Sequence, residues 1–226
     1  MSLPVAIGVH LVDHDGPLFS AVAGQISLLI GISAALISGL IGTTLGLCAC
    51  YFGGWVDSVV SYVVTTRLAM PVVLVALAMA ALVGGSLKVV VLVLGFLLWD
   101  RFAVVTRAAT QQIRNQDFVS AARAAGLTDL RIIGQEILPN IMNALIVVAT
   151  LEMAHAILLE AALSFLGLGV QPPLPSWGLM IAEGKQYMFF QPWVITIPGV
   201  ALLLLVLAIN LLGDGLRDIT APEARN

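Results

Sequence analysis

The sequence predicts an all-α polytopic membrane protein with about five transmembrane helices. Of its 226 residues, 60 % are hydrophobic and only 10 % are charged. The mean hydropathy is +1.04, and several uncharged runs are long enough to cross a bilayer. A soluble domain of this composition would have almost no polar surface to show to water, whereas lipid solvates apolar faces directly. Membrane strands would alternate apolar and polar residues, and these runs do not.

A helix needs about 20 apolar residues to cross the hydrocarbon core. On that measure the spans fall at 26–50, 68–85, 88–106, 138–163 and 193–212. The first carries small residues in rows, Ser38, Gly42 and Gly46 on one line with Gly31 and Ala35 beside it, the pattern that lets helix backbones approach closely in lipid. Gly53-Gly54 ends it. Pro71 stands at the start of the second span, where its missing N–H costs little. Cys48 and Cys50, two positions apart, point to different sides of a helix and read as packing residues. No secretory signal is visible, since Asp13, His14 and Asp15 stand where an apolar core would be needed.

Eight of the ten cations, Arg67, Arg101, Arg107, Arg114, Arg123, Arg131, Arg217 and Arg225, thread to one side of the five spans, and Lys88 and Lys185 to the other. The positive-inside rule puts the eight in the cytoplasm. The expected organisation is therefore an extracytoplasmic N-terminal segment 1–25 and a permease-like domain 26–212. That domain carries a cytoplasmic loop 107–139 and an extracytoplasmic loop 165–192, and a cytoplasmic tail 213–226 follows. The net charge of −3 gives no reason to expect a nucleic-acid partner.

Within the cytoplasmic loop the pattern predicts a short helix 118–125, a break at Gly126, and a second helix 130–137 capped by Thr128-Asp129, with Leu138-Pro139 opening the fourth span. Such a loop reads as a docking element for a cytoplasmic partner, or as a connector lying on the membrane surface. The loop after the fourth span, Gly167 to Gly178, holds three prolines and cannot be a continuous helix. A short helix 180–190 flanked by Trp177 and Trp193 as aromatic anchors would follow it. The loop reads as an extracytoplasmic cap or a structural turn.

Three polar residues lie deep in the fourth span. Glu152 and His155 share a face, and Glu160 is roughly 80° around from Glu152. Buried charges of this kind line a wet path or make interhelical contacts; a metal site is the outside alternative. Asp100-Arg101 reads as an interfacial pair. His10, Asp13, His14 and Asp15 have metal-ligand spacing but read as plain surface. No nucleophile, base and orienting group assemble, so catalysis has no candidate.

The stretch 120–139 resembles the "EAA" loop of binding-protein-dependent ABC importer permeases. Ala121, Ala122, Gly126, Leu138 and Pro139 stand at that motif's spacing, while Ser120 replaces its Glu and Glu136 its Ile. Three more blocks resemble the dipeptide/oligopeptide/nickel branch. They are Tyr51-Phe-Gly-Gly-Trp-Val-Asp57, the run from Leu163 through Gln171, Pro172, Pro173, Pro175, Ser176 and Trp177 to Gly178, and Asn210-Leu-Leu-Gly-Asp-Gly-Leu-Arg-Asp218. Glu160 belongs to the family-like stretch; Glu152 and His155 do not.

The resemblance implies the transmembrane-domain fold of an ABC importer in a bacterial plasma (inner) membrane. Its partners would be a second homologous permease, two cytoplasmic ATPases and an extracytoplasmic solute-binding protein. Coupling to the ATPases would run through 118–139, with Ser120, Ala121, Ala122, Arg123, Gly126, Asp129, Leu138 and Pro139 as its residues. ATP and Mg would bind the ATPases and no cofactor this chain, which has no Gly-x-x-x-x-Gly-Lys-Ser/Thr phosphate loop. Peptides, nickel complexes and related small solutes share the pattern. Members carry six spans, so the family's first helix is expected to be missing here. A channel or ion-coupled transporter would show an inverted repeat with matched broken helices, and only the region 167–178 is interrupted. A non-transport assembly subunit is the other alternative.

Overall fold

The computed structural model describes residues 16–220, and the only regular elements among them are helices. In chain order these are α1 (Gly16–Phe52), α2 (Gly54–Leu68), α3 (Val72–Val83), α4 (Leu87–Leu97) and α5 (Trp99–Ile113). They continue as α6 (Asp117–Ala124), α7 (Asp129–Phe165), α8 (Trp177–Gly184) and α9 (Trp193–Thr220). Four helical stretches are long and apolar enough to cross a membrane: 20–52, 87–113, 129–165 and 193–219. The pair α2 and α3, bent by 86°, makes a broken fifth.

The predicted span 68–85 is therefore not one helix. Pro71 has no N–H to donate and crowds the α conformation of Met70, so the chain breaks between Leu68 and Val72. The 12 residues of α3 then reach only about 18 Å, short of a hydrocarbon core of about 30 Å. The first helix begins at Gly16 rather than 26, and the last runs to Thr220 rather than 212. His10, Asp13, His14 and Asp15 lie outside the described residues.

α1 is the central strut. A side chain at Gly42 would strike the α5 backbone at Trp99 and Ala103, and one at Gly46 would meet Ala103 and Thr106. Gly31 sits against Met153 and Ile157 of α7, and Gly95 of α4 against Ile37. The small-residue rows are contact lines with α5 and α7, the close packing that such rows permit, and Gly95 does the same for α4. Ser38 and Cys50 are buried with them. One apolar core joins Ile30, Leu94, Leu98, Ala156 and Leu163; a second joins Leu47, Phe102, Ile132, Ile137 and Leu145. Outward faces of α1 and α9 carry exposed leucines such as Leu40 and Leu203, which suits lipid as solvent.

The fourth span also differs from expectation. Instead of a separate helix 130–137, α7 runs unbroken through 37 residues. Residues Ile132–Ile137 widen to π geometry, with the Leu138 N–H reaching back five residues to the Ile133 carbonyl. Wider turns shift the hydrogen-bond register, and Pro139, which needs no donor, enters the helix directly behind them.

Candidate functional site

At one end of the bundle, α6 and the start of α7 form the predicted helix–Gly–helix unit. Gly126 has φ +81° and closes α6 with paired bonds, its own N–H to the Arg123 carbonyl and the Leu127 N–H to that of Ala122. This is the Schellman arrangement, which favours glycine at its left-handed position. Thr128 stands at the N-cap of α7 without a side-chain cap bond. Val119 is fully buried and, with Phe118, Ala122 and Leu127, anchors the unit to the second core. Its outer face is open. Ser120, Ala121, Arg123, Ala124, Ala125, Gly126, Asp129 and Pro139 are exposed, Leu138 is half-buried, and Leu130 projects with 81 % of its surface accessible.

Polar links tie this unit to the end of α1, and neighbouring ones tie α5 to α2 and α1. The Tyr51 hydroxyl donates to Asp129 Oδ1 at 2.6 Å, and the Arg123 guanidinium lies over the Tyr51 ring. Arg107 grips Asp57 through two bonds of 2.6 and 2.7 Å, the bidentate geometry in which guanidinium pairs are strongest. Arg114 donates to the Cys50 carbonyl. Sequence reasoning missed these pairings. Their signal was the block from Tyr51 to Asp57, which supplies the turn's half of each link or lies one residue from it.

In the middle of the bundle Glu152 is 1 % exposed. Its Oε1 accepts from Arg101 at 3.0 Å and its Oε2 faces His155 Nδ1 at 3.4 Å. The expected interfacial pair Asp100-Arg101 is thus replaced. Arg101 turns to Glu152, while Asp100 is buried and accepts from the Arg101 backbone N–H. Helical angle explains it: adjacent residues diverge by about 100°.

Glu160, fully buried, belongs to neither of its expected companions. Its Oε1 accepts from Ser164 at 2.7 Å and Ser176 at 2.8 Å, and a side chain on Gly178 would strike Glu160 and Ala161. Ser176 also caps α8 through the Leu179 N–H. The helix after this loop begins at Trp177, not 180, and passes at Lys185–Tyr187 into a tighter turn. Trp177 is not an interfacial anchor. Its ring lies on Gly24 and its Nε1 donates to the Ser20 carbonyl. Pro175 is buried, whereas Gln171, Pro172 and Pro173 remain exposed, with Gln171 donating to the carbonyls of Gly167 and Gly169. Trp193 is half-exposed, and Phe189 and Phe190 are the most open aromatics among the described residues, 85 % each. Among the described residues no group of three or more His, Cys, Asp or Glu side chains could hold a metal ion.

The family model for the binding-protein-dependent transport system inner membrane component matches residues 28–226. This chain belongs to that family. It is the permease subunit of an ABC importer, a multi-pass inner-membrane protein whose ATPase is a separate subunit. It is 39 % identical over 216 residues to a dipeptide transport system permease of Alkalihalophilus pseudofirmus, covering 95 % of this chain and 71 % of that one. With a di/tripeptide transport system permease of Pseudomonas aeruginosa the identity is 43 %, over 89 % and 67 %. With a glutathione transport system permease of Escherichia coli it is 39 %, over 99 % and 74 %. In solved structures the permease's fold is matched by a chain of the MetNI methionine ABC transporter in inward-facing conformations. That match has a TM-score of 0.74 at 19 % identity and covers 97 % and 99 % of the two chains.

Proposed function

We propose that this permease forms half of the path for short peptides or a related small solute, nickel complexes included. In this reading it works beside a homologous second permease, receives solute from an extracytoplasmic binding protein, and is driven by two cytoplasmic ATPases that bind ATP and Mg. Arg67 and Arg101, counted to the cytoplasm from the sequence, lie inside the bundle instead, but the remaining Arg and Lys residues still favour a Gly126 end in the cytoplasm and a Ser176 end outside. The similarity to peptide and glutathione permeases supports the solute class.

The observation that carries the coupling role is the Gly126 unit. It is rigid on its inner side, where Val119 and Leu127 are packed, and presents small residues and one projecting leucine outward. That surface suits a groove on a partner. Its inner side continues directly into α7, so a push on the loop would be transmitted along a 37-residue rod to Glu152 and Glu160. Rigid-body movement of such a rod is a standard way to switch access.

The test is Gly126→Val. A β-branched residue resists a φ of +81°, so α6 should lose its fixed angle while the spans stay inserted. Co-purification of the ATPases should weaken, and solute-stimulated hydrolysis should fall at least tenfold. Normal co-purification with normal coupling would remove the loop from the mechanism.

A further inference from the structure

Two helix breaks fall at the same level of the bundle: the α2–α3 break at residues 69–71 and the α4–α5 junction at Leu98. Between them lies a cavity of about 140 Å³ bordered by Arg67, Met70, Leu98, Asp100, Arg101 and His155. Trp99, next to Leu98, meets α1 at Gly42, about 15 Å inside that helix's end at Phe52, so the cavity lies within the part of the bundle that a hydrocarbon core of about 30 Å would cover. Charged side chains at such depth are costly and are kept for pathways and ligands.

The charges here are not all spent on one another. Glu152 holds Arg101 and faces His155, and Asp100 accepts from the Arg101 backbone. Arg67 is different. Its Nη2 donates to the Leu97 carbonyl at 2.6 Å, its Nε is buried without a partner, and it has no ion pair among the described residues. Helix breaks free carbonyls, and the Leu97 carbonyl fixes the guanidinium at the cavity. Arg101 is spent on Glu152 and Asp100 on a backbone N–H, so Arg67 is the guanidinium left for one added carboxylate, and a dianion such as phosphate would leave a larger excess of negative charge. The apolar wall of Met70 and Leu98 would accept the group attached to it.

We propose that this cavity binds the carboxylate of the transported solute on Arg67, with Arg101, held by Glu152, forming the second cationic wall. The solute class rests on the peptide reading given above. The chemistry needed is a free carboxylate next to a small apolar group, as at the C-terminus of a short peptide.

Protection from alkylation tests this without the binding protein, which has its own specificity. In the complete permease–ATPase complex without nucleotide, Met70→Cys would be placed in a background with Cys48 and Cys50 changed to Ala. Its maleimide labelling rate would be followed with dialanine, dialanine amide or acetate. Dialanine should slow labelling at least fivefold, acetate should do so at higher concentration, and the amide should not. Arg67→Gln should abolish protection and Arg67→Lys keep part of it, with ATPase co-purification unchanged in both. Equal protection by acid and amide, none by either acid, or protection indifferent to Arg67→Gln would overturn the site. A complex that shows the expected protection but takes up no peptide in vesicles would keep the carboxylate site and sink the peptide reading.

Discussion

The loops at the two ends of α7 open with the same local device and are then secured by opposite means. Gly126 and Gly167 both have φ +81°. Both close a helix with the same pair of bonds, Leu127 to Ala122 and Leu168 to Leu163 being the longer one in each case. Beyond that turn the likeness stops. The Gly126 end is tied to α1 by Tyr51 at Asp129 and by Arg123 over the Tyr51 ring, around an open outer face. The Gly167 end is sealed from within by Glu160, Ser164, Ser176 and Gly178, all buried. One glycine turn thus serves a loop left open on its outer face and a loop sealed on its inner one. The difference lies in whether polar partners are buried, because an orphaned buried group costs far more than an exposed one.

Gly178→Val should break that comparison most severely. A Cβ there would lie 2.6 Å from Ala161 Cα and 2.9 Å from Glu160 Oε2. The first is backbone and cannot step aside, so the expected loss is near the upper end of overpacking, about 3 kcal/mol. The purified permease should show a clearly lower thermal midpoint in detergent. An unchanged midpoint would mean that α8 does not dock on α7 as described.

Glu160 gives a finer cut. Both serines donate to one oxygen, Oε1, and a glutamine keeps an acceptor oxygen of the same reach. Glu160→Gln should therefore cost less than about 1 kcal/mol, while Glu160→Leu should cost about 2 kcal/mol by leaving hydroxyls unpaired. The midpoints of the two variants report the difference. Similar losses in both would make the negative charge, not the hydrogen bonding, the feature that matters.

Four of the five spans could be read from sequence because hydropathy and length are local properties, and the span predicted at 68–85 failed at Pro71. The helix break at Gly126 was equally legible, since a glycine between two short patterns is a local signal too. What the sequence hid was pairing across distance. Arg101 and Glu152 are 51 positions apart, and only the packing of α5 on α7 brings them together. The π turn of 132–137 was also hidden: Leu138-Pro139 looks like a helix start, and only the register shift before it lets α7 continue. Trp177 was misjudged for a related reason, because an aromatic near a predicted interface gives no sign that a glycine 153 positions earlier has left room for its ring.

The smallest expected effect tests the open end. Tyr51 donates to Asp129 at 2.6 Å, but Asp129 is exposed, so water can replace the lost partner. Tyr51→Phe keeps the ring under Arg123 and removes only the hydroxyl. The expected cost is about 0.5–1 kcal/mol, that of one solvent-accessible hydrogen bond. Asp129→Ala should cost about the same, and the double variant little more than either, since both remove one interaction. A coupling energy of this size, read from thermal midpoints of the four proteins, would make the Tyr51 link a minor tie and leave the packing of Val119 and Leu127 as what fixes the unit. If the double variant instead lost the full sum of the singles, Tyr51 and Asp129 would be acting through separate partners. The Gly126 unit would then be held to α1 by something other than this bond, and the contrast between the two ends of α7 would have to rest on the Arg123–Tyr51 contact and the packing of Val119 and Leu127.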